Sequence, residues 1–224
     1  MEPQENAVDF SSFPAIALEV ISDPVGFYRK LPRAGGYVEP LCFATAFGFA
    51  GILIQFLLHG LFGLGTIISF WMVLAWPILI AIFSFVGAGV MHVLWRVLGS
   101  QASYETSYRS AAFLAALSPI TALLGIVPYL GTIVSMGWMA YLLIVASIEV
   151  HGVKPNTAYA VFGGIGLLLT LSSLGTERAA RQLSPELERL GSEIEDMSPE
   201  EAGKAVGEFL RGLEQGAKEK SGAE

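Results

Sequence analysis

Three long stretches of the chain contain no Asp, Glu, Lys or Arg. They comprise 56, 39 and 22 residues and cover positions 40–95, 110–148 and 155–176. A water-soluble protein surrounds its apolar core with charged surface, which these stretches lack. One helical crossing of about 30 Å of hydrocarbon takes roughly 20 residues, so the stretches hold two, two and one crossings. The sequence therefore predicts an all-α, polytopic membrane protein with a bundle of five transmembrane helices.

The composition agrees with this class. Hydrophobic residues make up 53% of the chain, charged residues make up 15%, and the mean hydropathy is +0.58. The acidic residues 1–10 lack the basic region and the apolar stretch of a secretory signal peptide, so none is expected. A single cysteine, Cys42, excludes an intramolecular disulfide and a thiolate metal cluster.

Glycine and proline mark where the predicted spans begin and end. Glycines 60, 63 and 65 separate the first two spans, Pro128 and Gly131 separate the third from the fourth, and Pro155 opens the fifth. We expect Pro77 to bend the second span and Pro119 to kink the third. The five predicted spans are residues 40–62, 66–98, 106–127, 131–150 and 155–175.

Basic residues in the short loops predict the orientation. All six lie on one side of the predicted bundle: Arg29, Lys30, Arg33, Arg96, Arg109 and Lys154. Because such residues accumulate on the cytoplasmic side, the N-terminus is expected in the cytoplasm. Five crossings place the C-terminal tail outside, although Arg178 and Arg181 favour the opposite side. The predicted organisation is an interfacial segment (1–38), a transmembrane domain (39–176) and a helical tail (177–224).

The two polar ends carry candidate binding surfaces. A basic patch of Arg29, Lys30 and Arg33 follows an apolar segment, which predicts either an interfacial helix or hairpin on anionic headgroups or a simple anchor for the first span. The tail contains a helix start at Ser184-Pro185-Glu186 and a capping box from Ser198 to Glu201. After this box the stripe Phe209, Leu210 and Leu213 predicts a hairpin or self-association, with recruitment of a protein partner as the alternative.

Ionisable residues gather at the cytoplasmic ends of the predicted spans. This polar cluster consists of His92, Arg96, Glu105, Arg109, Glu149 and His151. It predicts either an ion-pair network that pins the helix ends, with Arg109 paired to Glu149, or a substrate or proton site. Glu105 and Arg109 are four residues apart and share one helical face. No metal or cofactor is expected, and the catalytic patterns of membrane enzymes, including a serine near a base, are not expected either.

Short segments in a fixed order resemble the Ypt-interacting-protein (YIP) family of five-span membrane proteins. The resemblance covers residues 22–160 and rests on these segments: Asp23-Pro24, Phe27-Tyr28, Leu31-Pro32, Pro40-Leu41, His92, Leu98-Gly99-Ser100, Tyr104-Glu105-Thr106, Ser118-Pro119, Ile126-Val-Pro128-Tyr-Leu-Gly131 and His151-Gly152-Val153. It implies a membrane-embedded adaptor with a cytosolic N-terminus, since eukaryotic relatives are associated with Rab-type GTPases and vesicle traffic. The chain lacks their Asp-Leu-Tyr-Gly-Pro motif and is similar to bacterial members, so GTPase binding is not carried over.

These observations predict an integral membrane adaptor or scaffold without enzymatic activity. Its expected partners are the lipid bilayer and a protein partner or a second copy, with no nucleic acid. The alternative is a small transporter or channel in which Glu105, Arg109 and Glu149 line a polar pathway. The apolar centres of the spans speak against that alternative, because a pathway normally needs polar groups there.

Overall fold

The computed structural model describes residues 8–63, 70–195, 198, 201, 203–204, 207 and 211–212. Every regular element in this part of the chain is helical. The chain divides into two compact units, Met1–Ser173 and Leu174–Glu224. The all-α architecture predicted from the uncharged stretches is therefore confirmed.

Four helical runs among the described residues are long and apolar enough to cross a membrane. They are α3 (Val38–Phe62), α4 (Phe70–Val97), α7 (Leu130–Glu149) and the run Pro155–Leu183. This last run begins with α8 (Pro155–Ala158), continues through a π-helical turn (Tyr159–Gly163) and enters α9 (Gly164–Glu195). The first, second, fourth and fifth predicted spans thus correspond to helices of the required length and composition.

The third predicted span is built from three short pieces. Helix α5 (Tyr104–Ala112) is followed by a 3₁₀ segment (Phe113–Leu117) and by α6 (Ser118–Leu124). Pro119 has no N–H to donate, and its ring clashes with the carbonyl of the preceding turn. The series of α-helical hydrogen bonds is therefore broken at the predicted position. The pieces lie beside α3, where a Cβ on Gly51 would come within 2.9 Å of the Ser118 carbonyl oxygen. Because α5 is polar and each piece is short, a crossing here stays a prediction.

The N-terminal segment folds onto the bundle. Helices α1 (Phe13–Ser22) and α2 (Pro24–Lys30) meet at Asp23, whose carboxylate accepts the Gly26 N–H and caps α2. Their apolar faces pack on protein, with the Phe13 ring 5.3 Å from Phe43 and the Phe27 ring 5.2 Å from Phe113. Two helices form where an interfacial helix or hairpin was predicted, but their main apolar faces are buried in the bundle.

The first unit has two ends, which we call basal and distal. The basal end consists of α1, α2, α5 and the loop 150–154, where Arg29 of the N-terminal segment meets Glu149 at the end of α7. The distal end is where α3 stops at Phe62 and α7 starts at Leu130. At the distal turn a Cβ on Gly131 would collide with the carbonyl of Leu124, so only glycine fits there.

Three expectations concern the C-terminal part, and the first two are wrong. The fifth predicted helix does not end near Gly175, and residues 184–186 do not open a new helix, because α9 continues to Glu195. Good helix formers follow Gly175, and Arg181 Nη2 pairs with Glu177 Oε1 at 2.9 Å across one turn. One half of the predicted capping box is present: the N–H of Ser198 donates to the Glu201 carboxylate at 3.1 Å, and its hydroxyl donates to the same oxygen at 2.6 Å. The stripe Phe209, Leu210 and Leu213 lies outside the described residues.

Candidate functional site

Arg109 joins α5 to the linker between α2 and α3. Its side chain is 3% exposed and forms three hydrogen bonds. Nε donates to the Pro32 carbonyl at 3.1 Å, Nη1 to the Gly36 carbonyl at 3.0 Å and Nη2 to Glu39 at 3.0 Å. The planar guanidinium, with its fixed fork of donors, therefore holds both the linker and the start of α3.

Two neighbours of Arg109 on α5 hold the same linker. One carboxylate oxygen of Glu105 accepts the N–H groups of Gly35 and Gly36, both at 2.7 Å, and these bonds lower the pKa of Glu105. The Thr106 hydroxyl donates to the Arg33 carbonyl at 2.7 Å. Both glycines have positive φ, 141° and 81°, a backbone shape that side chains rarely adopt and that lets consecutive amides reach one oxygen. Glu105 and Arg109 thus act on one face of α5, as their spacing predicts.

The predicted pair between Arg109 and Glu149 is wrong. Arg109 pairs with Glu39, whereas Glu149 forms a bidentate pair with Arg29 at 3.0 and 3.1 Å. These two partners were not predicted from the sequence, because the N-terminal segment was expected to lie apart from the helical bundle. Folding of α1 and α2 onto the basal end supplies the actual partner of Glu149.

The basic patch lies at the same end of the protein. Arg29 pairs with Glu149, and Lys30 pairs with Glu19 at 3.4 Å. Arg33 lies in the linker that α5 holds through Thr106. Contact of these three residues with lipid headgroups stays a prediction.

His151 is enclosed between two serines and a tryptophan. Its ring is stacked on Trp95, with 3.7 Å between centroids and 13° between planes. Nδ1 lies 3.1 Å from the Ser100 hydroxyl, and Nε2 lies 3.2 Å from the Ser110 hydroxyl. Burial lowers the pKa of His151 from 6.5 to about 3, with smaller contributions in the same direction from His92 and Arg33. The imidazole is therefore neutral at physiological pH.

Further hydroxyls complete the polar interior of the basal end. The Trp95 indole N–H donates to Ser147 at 2.8 Å, and the ring is fully buried. His92 Nδ1 lies 2.9 Å from the Ser107 hydroxyl. Arg96 donates to the Ser100 carbonyl at 3.4 Å and so holds the turn after α4. Sequence reasoning did not single out Ser107 on α5 or Ser147 on α7 as site residues.

The expectation that no serine lies near a base is also wrong. Ser107 and Ser110 both reach a histidine, but Ser110 is fully buried and its hydroxyl also donates to the Thr106 carbonyl at 2.6 Å. The second nitrogen of His151 faces Ser100, where a catalytic triad would place a carboxylate. A buried hydroxyl that is already engaged offers no approach to a substrate. The arrangement resembles a satisfied polar core.

The six residues of the polar cluster do not form one ion network. Glu105 and Arg109 bind the linker, His92 and His151 contact serines of α5, Arg96 holds the turn after α4, and Glu149 pairs with Arg29. In the described part of the chain, no three His, Cys, Asp or Glu side chains are placed to hold a metal ion. What the cluster members share is the basal end of the fold, with α5 at its centre.

The Yip1-domain family model matches residues 18–176, from within α1 to the apolar part of α9. The matched region contains the linker, α5 and all six residues of the polar cluster. No curated protein and no solved structure matches the chain. The family match covers well over half of the sequence and agrees with the resemblance found in its short segments. The chain belongs to the Yip1-domain family of membrane proteins.

Proposed function

We propose that the protein is a membrane-embedded adaptor without catalytic activity, which recruits partners through the helical tail that follows its last apolar stretch. The observation that carries this proposal is the length of the last helix. The helical run from Pro155 to Glu195 is about twice the roughly 20 residues that one crossing takes. Its later part is polar, and Arg178 and Gln182 are exposed. A helix that continues so far beyond the apolar stretch offers a surface that the bilayer does not require.

The chemistry of the basal end supports a structural role for the polar cluster. Arg109 and Glu149 each have an ionic partner within the chain, and the buried serines are engaged with histidines or carbonyls. A transport pathway would instead need accessible polar groups near the centres of the spans. We therefore assign Glu105, Arg109 and Glu149 to holding the N-terminal segment on the transmembrane helices. The other three members of the cluster hold α5 and the turn after α4.

The proposed orientation places the basal end in the cytoplasm and the tail outside the inner membrane. In a Cys42→Ala background, a membrane-impermeant thiol reagent added to intact cells should label Ser192→Cys and not Ser12→Cys. Permeabilised cells provide the control, because both variants should then react. Equal protection of both positions in intact cells would contradict the odd number of crossings, and labelling of Ser12→Cys alone would reverse the orientation.

The tail is tested by removing it. Deletion of residues 177–224 should leave membrane insertion intact and abolish a partner that the full-length chain retains on affinity capture in mild detergent. Phe209→Glu combined with Leu213→Glu should cause the same loss, because charges enter the predicted apolar stripe. Arg211→Glu combined with Gln215→Glu is the matched control, since it adds acidic side chains outside the stripe.

One set of results would contradict the adaptor function and support the transporter function. The truncated chain would bind every partner that the full-length chain binds. The purified protein in liposomes would also move ions or solutes in a manner abolished by Glu149→Gln.

A further inference from the structure

A lateral groove of about 770 Å³ opens in the transmembrane part of the first unit. Helices α3 and α4 and the segment 111–122 form its walls. Small residues make the floor, including Ala44, Gly48 and Ala115, and Trp76 and Phe83 stand at the side. Ligand pockets in proteins usually measure about 300–1,000 Å³. The groove therefore has the size of a binding site for one apolar molecule.

Among the described residues, two polar side chains that line the groove have no hydrogen-bond partner, Gln55 and Ser118. Ser84 and Thr121 also line it, but Ser84 bonds with Tyr108 at 3.1 Å and Thr121 donates to the Ser118 carbonyl at 3.0 Å. Gln55 makes no hydrogen bond with any residue that the structure describes. One turn further along α3, just beyond the groove lining, the buried Nδ1 of His59 also has no partner in the described part of the chain. Unpaired polar groups in hydrocarbon are unfavourable, so this end of the groove favours a ligand with a hydrogen-bonding group.

The depth of Gln55 identifies the kind of group that would meet it. Glu39 is the last charged residue before the uncharged stretch, and His59 comes 20 residues later, about 30 Å along the helix. His59 therefore marks the distal edge of the hydrocarbon core. Gln55 lies one turn, about 6 Å, inside that edge. The ester linkages that join acyl chains to lipid headgroups lie close to this boundary.

The length of the groove matches a single acyl chain. Its lining on α3 runs from Ala44 to Gln55, about 16 Å at the helical rise of 1.5 Å per residue. Half of the hydrocarbon core is about 15 Å thick. The groove is therefore long enough for an acyl chain that spans one leaflet.

We propose that this groove binds one ester-linked lipid of the distal leaflet, with its acyl chain between α3, α4 and the segment 111–122. The lipid ester carbonyl accepts a hydrogen bond from the Gln55 carboxamide. No residue of the polar cluster or of the tail is among the residues that line the groove, so the proposal extends the proposed function without depending on it.

Gly87 is a suitable position for a substitution that fills the groove. A Cβ added to Gly87, which lines the groove on α4, would meet no atom within 4 Å. Gly87→Leu therefore places a side chain where the acyl chain would lie and also favours the helix. Gly137 on α7 has the same open surroundings and does not line the groove. Gly137→Leu is the matched control.

The test is native mass spectrometry of the full chain after reconstitution with dioleoylphosphatidylethanolamine and transfer to mild detergent. The wild type and Gly137→Leu should each retain one lipid per chain, and Gly87→Leu should retain at least tenfold less. The ether-linked analogue, which lacks the ester carbonyl, should be retained about threefold to tenfold less by the wild type, as expected for one hydrogen bond. Gln55→Leu should hold the ester and ether lipids equally.

Two results on lipid retention would overturn the proposal, and a third would name another occupant. One is equal retention of ester and ether lipids by the wild type, a comparison that requires no substitution and therefore no assumption about the folding of a variant. The other is lipid retention by a folded Gly87→Leu chain at the wild-type level. A lipid-free wild type that appears as a dimer would assign the groove to a second copy instead.

Discussion

Arg109→Met should lower the free energy of unfolding by about 3–6 kcal/mol, because two buried charge-assisted hydrogen bonds to carbonyls are lost at about 1.5–3 kcal/mol each. The bonds to Pro32 and Gly36 measure 3.1 and 3.0 Å, and the arginine is 3% exposed. The pair with Glu39 adds less, since that carboxylate is 42% exposed and solvent screens it. Thermal unfolding in detergent should show a fall in Tm on the order of 10 °C.

Double substitutions separate the true partner of Arg109 from the one predicted from sequence. Glu39→Gln combined with Arg109→Met should destabilise less than the sum of the two single changes, because both remove one interaction. Glu149→Gln should have a small effect by itself, since its partner Arg29 is 66% exposed, and should add independently to Arg109→Met. Coupling to Glu149 and independence from Glu39 would contradict the contacts described for α5.

Acidification should destabilise the protein between pH 6.5 and pH 5 through His151. Burial lowers the pKa of His151 from 6.5 to about 3, so in this range the folded chain keeps the imidazole neutral while the unfolded chain takes up a proton. The unfolded state then binds more protons, and stability falls as the pH falls. The slope approaches about 1.4 kcal/mol per pH unit, a loss of about 2 kcal/mol at pH 5.

Glu105 does not contribute to the expected loss of stability between pH 6.5 and pH 5. Glu105 has a lowered pKa, so the stability it contributes is present above its usual value of 4.5 and is lost only at lower pH. His151→Asn is the control, because it removes the titrating ring and keeps a group that can bond with the flanking serines. Tm measured from pH 7 to pH 5 should slope in the wild type and be flatter in the variant. Equal slopes would remove His151 as the cause.

The helices that were predicted well are those on which the bilayer imposes a simple rule. The uncharged stretches must be helical and about 20 residues long in hydrocarbon, so α3, α4 and α7 could be placed to within a few residues. Pro119 also acted locally, because its missing N–H removes a hydrogen bond where the 3₁₀ segment meets α6. Pro77 did not have this effect, since α4 continues through it. The end of α9 could not be placed in this way, since polar helix formers beyond Gly175 continue a helix without any bilayer constraint.

Residues of the candidate site could be selected from the sequence, but the contacts between them could not. Ionisable groups near a membrane stand out in a sequence, which is why Arg109 and His151 could be selected. Their partners depend on contacts between distant parts of the chain, such as Arg29 with Glu149, 120 positions apart. Nothing in a local pattern specifies that α1 and α2 fold back onto the bundle. The serines were missed because a hydroxyl in a short polar helix gives no distinctive signal.

The claim that α5 clamps the N-terminal segment to the transmembrane helices can be measured directly at Gly35 and Gly36. Both amides donate to Glu105 at 2.7 Å, so their hydrogen exchange should be slow in the wild type although they lie in a linker. In Glu105→Ala, which removes the acceptor, the peptide containing residues 31–37 should exchange markedly faster, while peptides of α7 keep their wild-type rates. Exchange in the wild type at the rate of an open loop, unchanged by this substitution, would contradict the clamp.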